Sequence, residues 1–294
     1  PVTVVSLISS DNELVRSTVP LGFGDLVTSV TTREQALTVT PGRLPVVLTA
    51  NFVRPDRPIR DVMNTRRLTM RLRARQGELP ALPSAGAQRA MAGDDPEVVI
   101  LHIDLDAPAP ATDAEMTDEV YLAANGMIDT DDPFVQALSA SAMQTMKDRP
   151  AAARAEHLRG FVHRYVTGKG LSTAFATASE VARRREGDSS EHAVLLCALL
   201  RAEGIPARVA TGLVYVDQFA GERDVFGWHM WTQALIDGSW VDLDATLPVR
   251  HHAGHVLVAT SPLSDSAFDQ STSAALLLMG NVDIEIVEPA PAAR

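Results

Sequence analysis

Cysteine is nearly missing from this sequence: Cys197 stands alone among 294 residues. No disulfide can form within the chain, and no cluster of thiolates can hold a metal. Long apolar runs are missing too. None approaches the ~18 residues that a membrane-spanning helix requires. Basic charge is in deficit, with 26 Lys and Arg against 37 Asp and Glu, a net charge of −11. That balance argues against nucleic acid and anionic membranes as partners. No internal repeat is evident. The rest of the composition describes a globular chain, 46% hydrophobic and 21% charged, long enough for one large or two ordinary domains.

The first hundred residues read as strands. Val2–Ile8, Ala36–Thr40, Val46–Phe52, Arg67–Arg73 and Glu97–Leu105 are β-rich, and Arg67–Arg73 alternates as a half-exposed strand should. Turn clusters such as Thr40-Pro41-Gly42 separate them, which predicts a small antiparallel sandwich or barrel. Gln76–Pro96 is poor in apolar residues and reads as a long mobile loop. Ala107-Pro108-Ala109-Pro110-Ala111 reads as a stiff linker. The expected division is therefore 1–112, an accessory β domain, and 113–294, a mixed domain.

Helix signals dominate beyond that boundary. Asp131 or Asp132 caps a helix opening at Pro133. Leu158, Phe161, Val162 and Tyr165 share one face of a second. A third ends at Arg183-Arg184-Arg185, where cations suit a helix C-terminus. The central stretch is Gly187-Asp188-Ser189-Ser190-Glu191-His192-Ala193. Asp188 is the expected N-cap and Glu191, three residues on, completes a capping box. Ala193, Leu196, Cys197 and Leu200 recur at helical spacing, Gly204 suits the position past the end, and Pro206 forbids continuation. Ser189 then lies on the first turn, where free N–H groups favour negative charge.

Downstream, Asp237-Gly238 joins two strand-like runs, the signal of a type I′ hairpin. A two-residue turn sets Ile236 opposite Ser239 and Trp231 opposite Asp244. His229 and Asp244 become diagonal neighbours on one face, ~7–8 Å apart between backbones. Asp242 shares that face as a weaker orienter. Trp228, Trp231 and Trp240 all lie in this hairpin; core packing is their default role, and Trp231 and Trp240 also stand where they can shield the His–Asp pair from water. Strands are further expected at Ala207–Val216 and Gly280–Val287, with Gln218–Asp224 as a polar connection walling a cleft.

Four motifs together carry a resemblance: Gly187–Ala193, Leu199–Arg208, His229-Met230-Trp231 and Asp244-Ala245-Thr246. They resemble the bacterial transglutaminase-like superfamily, whose motif reads Gly-Asp-Cys-Thr-Glu-His-Ala, then His-x-Trp, then Asp-Pro-Thr or Asp-Ala-Thr. The resemblance covers roughly Asp118 to Val287. It implies an α+β fold with a papain-like core and a Cys-His-Asp triad on Ser189, His229 and Asp244. Asp188, Glu191, His192, Trp228, Trp231 and Asp242 would support substrate or the triad. The implied chemistry is acyl transfer through a thioester on a peptide or protein substrate, ending in hydrolysis or transamidation, with no cofactor. The departure is the nucleophile, serine where the family has cysteine. The surrounding motif is so well kept that a deliberate Cys-to-Ser replacement fits better than natural loss. This form is then expected to be inactive; the competing reading is a pseudoenzyme that binds a peptide or protein.

Other assignments fare worse. Cys197 lies about 12 Å along the helix from Ser189, in an apolar run where thiols are inert. His251, His252 and His255 lack the thiolates or framed carboxylates of a metal site, so none is expected. A serine-esterase reading of Gly187-Asp188-Ser189 fails for want of an Asp-x-x-His. Relatives occur both exported and in the cytoplasm, and a start at Pro1 without methionine points to processing or trimming. Oligomeric state is not legible.

Overall fold

The computed structural model describes residues 5–11, 13–21, 24–32, 52–168, 176–219, 221–264, 274 and 278–287. The strand expected at Ala36–Thr40, most of that at Val46–Phe52 and the tail from Ala290 lie outside them. The fold is α+β with antiparallel sheets. Strands β1 (Val5–Ile8), β2 (Leu14–Leu21) and β3 (Gly24–Ser29) form a three-stranded sheet of their own.

The central sheet contains β7 (Ala207–Phe219), β8 (Glu222–Ile236), β9 (Ser239–Leu243) and β10 (His255–Ser261), in the order β10-β7-β8-β9. Ile236 pairs with Ser239 as the two-residue turn requires, and both Asp237 (φ 50°) and Gly238 (φ 77°) have the positive φ of a type I′ turn. The side of this sheet that faces the helices carries Met230, Ala234 and Ile236 of β8 with Ala207 and Val209 of β7.

Five α-helices are found among the described residues: α1 (Asp113–Thr117), α2 (Pro133–Ala142), α3 (Ala151–Tyr165), α4 (Ala178–Arg184) and α5 (Ser189–Ala202). Of these, α2 to α5 share the core with the sheet. Asp132 caps α2 through Phe134 N at 2.8 Å. Every residue of α5 from Ser189 to Arg201 is buried, which makes it the core's axis. It stops where Gly204 turns to φ 71° and Ile205 N closes on Leu200 O at 2.9 Å. The basic end of α4 behaves as a helix terminus should. Arg183 pairs with Asp132 at 2.8 Å, and the Arg185 guanidinium lies 4.2 Å above the Tyr165 ring.

A second sheet, β11-β4-β6-β5, consists of β4 (Arg67–Ala74), β5 (Gln88–Ala92), β6 (Val98–Asp104) and β11 (Val282–Val287). It is not sealed off from the first. Val53 bridges to Phe226 of β8 and Pro55 to Ile284 of β11. At the other edge, the Gln88 amide donates to Leu257 O at 2.9 Å and accepts from Leu257 N at 2.8 Å. The two sheets thus share one core of Met70, Leu72, Leu101, Tyr215, Phe226, Val256 and Ile284. The boundary expected at 112/113 falls after β6, yet β11 returns across it.

Three local expectations need correction. Gln76–Pro96 is not one long loop, because β5 forms within it, anchored by Gln88. Ala107–Ala111 is not a free linker: Ala109 N bonds Gly86 O at 2.7 Å and Ala111 N bonds Gly238 O at 2.9 Å, so it docks along the hairpin. Gln218–Asp224 is the tip of a strand hairpin, with Gln218 paired to Arg223. Phe219, at that tip, still lines the cleft.

Candidate active site

The first turn of α5, the middle of β8 and the residues just after β9 meet at a cleft of about 380 Å³. Ser189, His192, Trp228 and His229 line it, with Phe52, Val166, Val214 and Leu247 supplying apolar walls.

The helix end is built by its cap. Asp188 Oδ1 accepts from Ser190 N at 2.8 Å and from Ser190 Oγ at 2.7 Å, while Asp188 N donates to Glu191 Oε2 at 2.9 Å. Among the described residues neither Ser189 N nor Ser189 Oγ makes a hydrogen bond. Both the hydroxyl and an uncapped N–H are thus left at the positive end of a buried helix. Glu191 also accepts from Ala176 N at 3.2 Å. Burial first, and then the charge of Asp188, push its pKa up to about 7. His192 Nδ1 donates to Asp188 O at 2.6 Å. Burial holds this ring's pKa below its ordinary value.

Across the cleft, His229 Nε2 lies 2.7 Å from Asp244 Oδ2. The carboxylate accepts, so Nε2 carries a proton, and Nδ1 is the nitrogen not engaged by Asp244. Asp244 is fully buried, and its Oδ1 accepts from Thr246 N at 2.8 Å. Burial opposes the charge of Asp244, but the neighbouring imidazoles override it and hold its pKa well below the usual carboxylate range. Trp231 stacks beside His229, ring centroids 6.2 Å apart and 21° from parallel, and is 1% exposed.

Two expected roles change. Asp242 does not orient His229. Its Oδ1 accepts from Trp231 Nε1 and Gln233 Nε2, both at 2.8 Å, and its Oδ2 from Ala87 N at 2.8 Å. It therefore fixes Trp231 and ties the 83–87 segment to the hairpin. Trp240 does not shield the His–Asp pair. It packs edge-on to Tyr121 at 4.9 Å and under the Arg208 guanidinium at 3.9 Å. Trp228 lines the cleft with its indole N–H buried and unpartnered among the described residues.

Sequence reasoning misses one partner of the site. His255, at the start of β10, places Nε2 3.0 Å from Asp244 Oδ2. The available signal is the run Val256-Leu257-Val258-Ala259-Thr260, a β-rich stretch directly after it. His229, Asp244 and His255 have the composition of a metal site, with their ligand atoms within 4.8 Å of one another. Here those atoms are spent on each other, at hydrogen-bond distances of 2.7 and 3.0 Å.

An imidazole backed by a buried carboxylate, lining one cleft with a helix end whose hydroxyl and N–H are unbonded among the described residues, has the parts of nucleophilic acyl chemistry. Several solved structures resemble this one at low identity. A proposed cysteine protease from Cytophaga hutchinsonii is 16% identical, the match covering 68% of this chain and 82% of that one at a TM-score of 0.43. The periplasmic domain of TgpA from Pseudomonas aeruginosa bound to ethylmercury is 14% identical, covering 64% and 93% at 0.41. Red sea bream transglutaminase is 12% identical, covering 74% and 52% at 0.32. A search of curated proteins gave no match. Residues 136–245 match the model of the transglutaminase-like superfamily. Ser189, His229 and Asp244 all fall inside that span.

Proposed function

We propose that the cleft is an acyl-transfer site of the cysteine-protease type whose nucleophile position is held by Ser189. The observation that carries this is the His229–Asp244 hydrogen bond of 2.7 Å in a cleft shared with Ser189. In the reaction the site is shaped for, a thiolate at position 189 attacks the carbonyl carbon of a peptide or glutamine amide. His229 takes the thiol proton and passes it to the departing amine, leaving a thioester. Water then releases an acid, or a second amine forms a new amide. The Ser189 N–H serves the oxyanion. The strands before residue 113 act as an accessory unit that lends Phe52 to the cleft.

Serine slows this chemistry, because no resting alkoxide exists where a thiolate would. The serine form is read as nearly inactive. Ser189→Cys should create a thiol that alkylates faster than a free thiol and stays reactive well below pH 8.5, together with amide hydrolysis that His229→Ala abolishes. Alkylation no faster than a free thiol would refute the reading. Ser189 itself favours the second reading, a peptide-binding pseudoenzyme, and that outcome would select it.

A further inference from the structure

Both ring nitrogens of His255 face acceptors. Nδ1 is 2.8 Å from His252 O, and Nε2 is 3.0 Å from Asp244 Oδ2. A carbonyl has no proton to give. Asp244 receives N–H groups from Thr246 and His229 as well, the surroundings of an ionised carboxylate. An imidazole that donates from both nitrogens is the imidazolium. His255 is 2% exposed and Asp244 0%, and a carboxylate buried that deeply requires a compensating charge.

We infer that His255 is a buried imidazolium that serves as counter-ion to Asp244, positions its carboxylate, and leaves His229 neutral at rest. The inference rests on His229 acting as the base of the proposed acyl transfer. A neutral His255 would turn a lone pair either toward Oδ2, which would then need a proton, or toward His252 O, which has none to give.

The Arg159 guanidinium at Asp244 O is paired with Glu156, which leaves the charge to His255 or His229, and among the described residues only His255 has an acceptor at each ring nitrogen. The loop before β10 presents His251, ring centroids 3.7 Å away, and His252 at 4.6 Å. Burial, and then the charge of His255, keep both neutral, with the pKa of His252 down at about 3. From β8 come His229 at 5.7 Å and the edge of Trp231 at 5.1 Å. On β7 its partner is the uncharged Val214. With the charge of Asp244 answered by His255, His229 need not be protonated to satisfy it. Its Nε2–H stays on the carboxylate and its Nδ1 lone pair stays available.

The test is nitrogen-15 NMR of the histidine rings in the full chain as it stands, followed across pH. At about pH 7.5, His255 should show two protonated nitrogens, and His229 only one. In His255→Gln the amide can still donate to Asp244 but carries no charge. His229 should then hold its second proton about tenfold more tightly, a rise of about one pH unit in its titration. The inference is overturned if His255 is a neutral tautomer at that pH, or if a folded His255→Gln leaves the His229 titration unmoved. Should the variant not fold, the spectrum of the unaltered chain still decides. Neither measurement uses turnover, so failure of the acyl-transfer reading would be seen separately.

Discussion

Replacing Glu191 with glutamine isolates the contribution of one buried carboxyl. Glu191 is 1% exposed, and its two oxygens accept from Asp188 N and Ala176 N. Burial and Asp188 raise its pKa from 4.5 to about 7, so the folded state binds this proton more tightly than the unfolded state. The stabilisation is complete below the unfolded value of 4.5 and is lost as pH rises through 7. At 1.36 kcal/mol per pH unit, that interval corresponds to about 3 kcal/mol. Glutamine does not titrate. It also puts an NH₂ where one acceptor stood, costing about 1 kcal/mol at all pH values. The diagnostic is therefore the slope. In urea unfolding between about pH 4.5 and 8, the unaltered chain should lose about 2–3 kcal/mol more than Glu191→Gln across the range. Parallel stability curves would refute the reasoning.

Packing dictates two further outcomes. A Cβ on Gly212 would lie 1.9 Å from the backbone oxygen of Val256, so Gly212→Ala must push β10 away from β7; thermal unfolding should show a loss of about 3 kcal/mol or more. Cys197 is fully buried, with its thiol pKa raised by that burial, so iodoacetamide should label it only after denaturation; rapid labelling of the native chain would disprove the packing of α5.

The site's two halves are legible in the sequence because local rules fix them. Asp188 and Glu191 announce the start of α5, and Asp237-Gly238 sets a register that leaves no freedom to His229 and Asp244. The hidden features depend on distant partners. Gln88 makes a strand start by bonding the backbone of Leu257, which no local window contains. Asp242 looks like an orienter from its face alone, but the indole of Trp231 and the Ala87 N–H claim its oxygens. His255 sits in a histidine-rich stretch that suggests metal or nothing. Its role emerges only when β10 lies beside β7 and carries the ring back to Asp244. The proline-spaced segment 107–111 has a linker's composition and a docked strand's hydrogen bonds, a distinction made by tertiary contact rather than propensity.

The place of β11 bears on how the chain folds. Ile284 pairs with Leu72, so the second sheet cannot be completed until a loop of roughly two hundred residues has closed. Loop closure on that scale costs about 5 kcal/mol of chain entropy beyond the constant term. During synthesis, β4 would emerge well before β11 and wait as an open edge while the helices and the central sheet assemble. Such topology favours slow folding, and it leaves an unpaired strand exposed to neighbouring chains until β11 has left the ribosome.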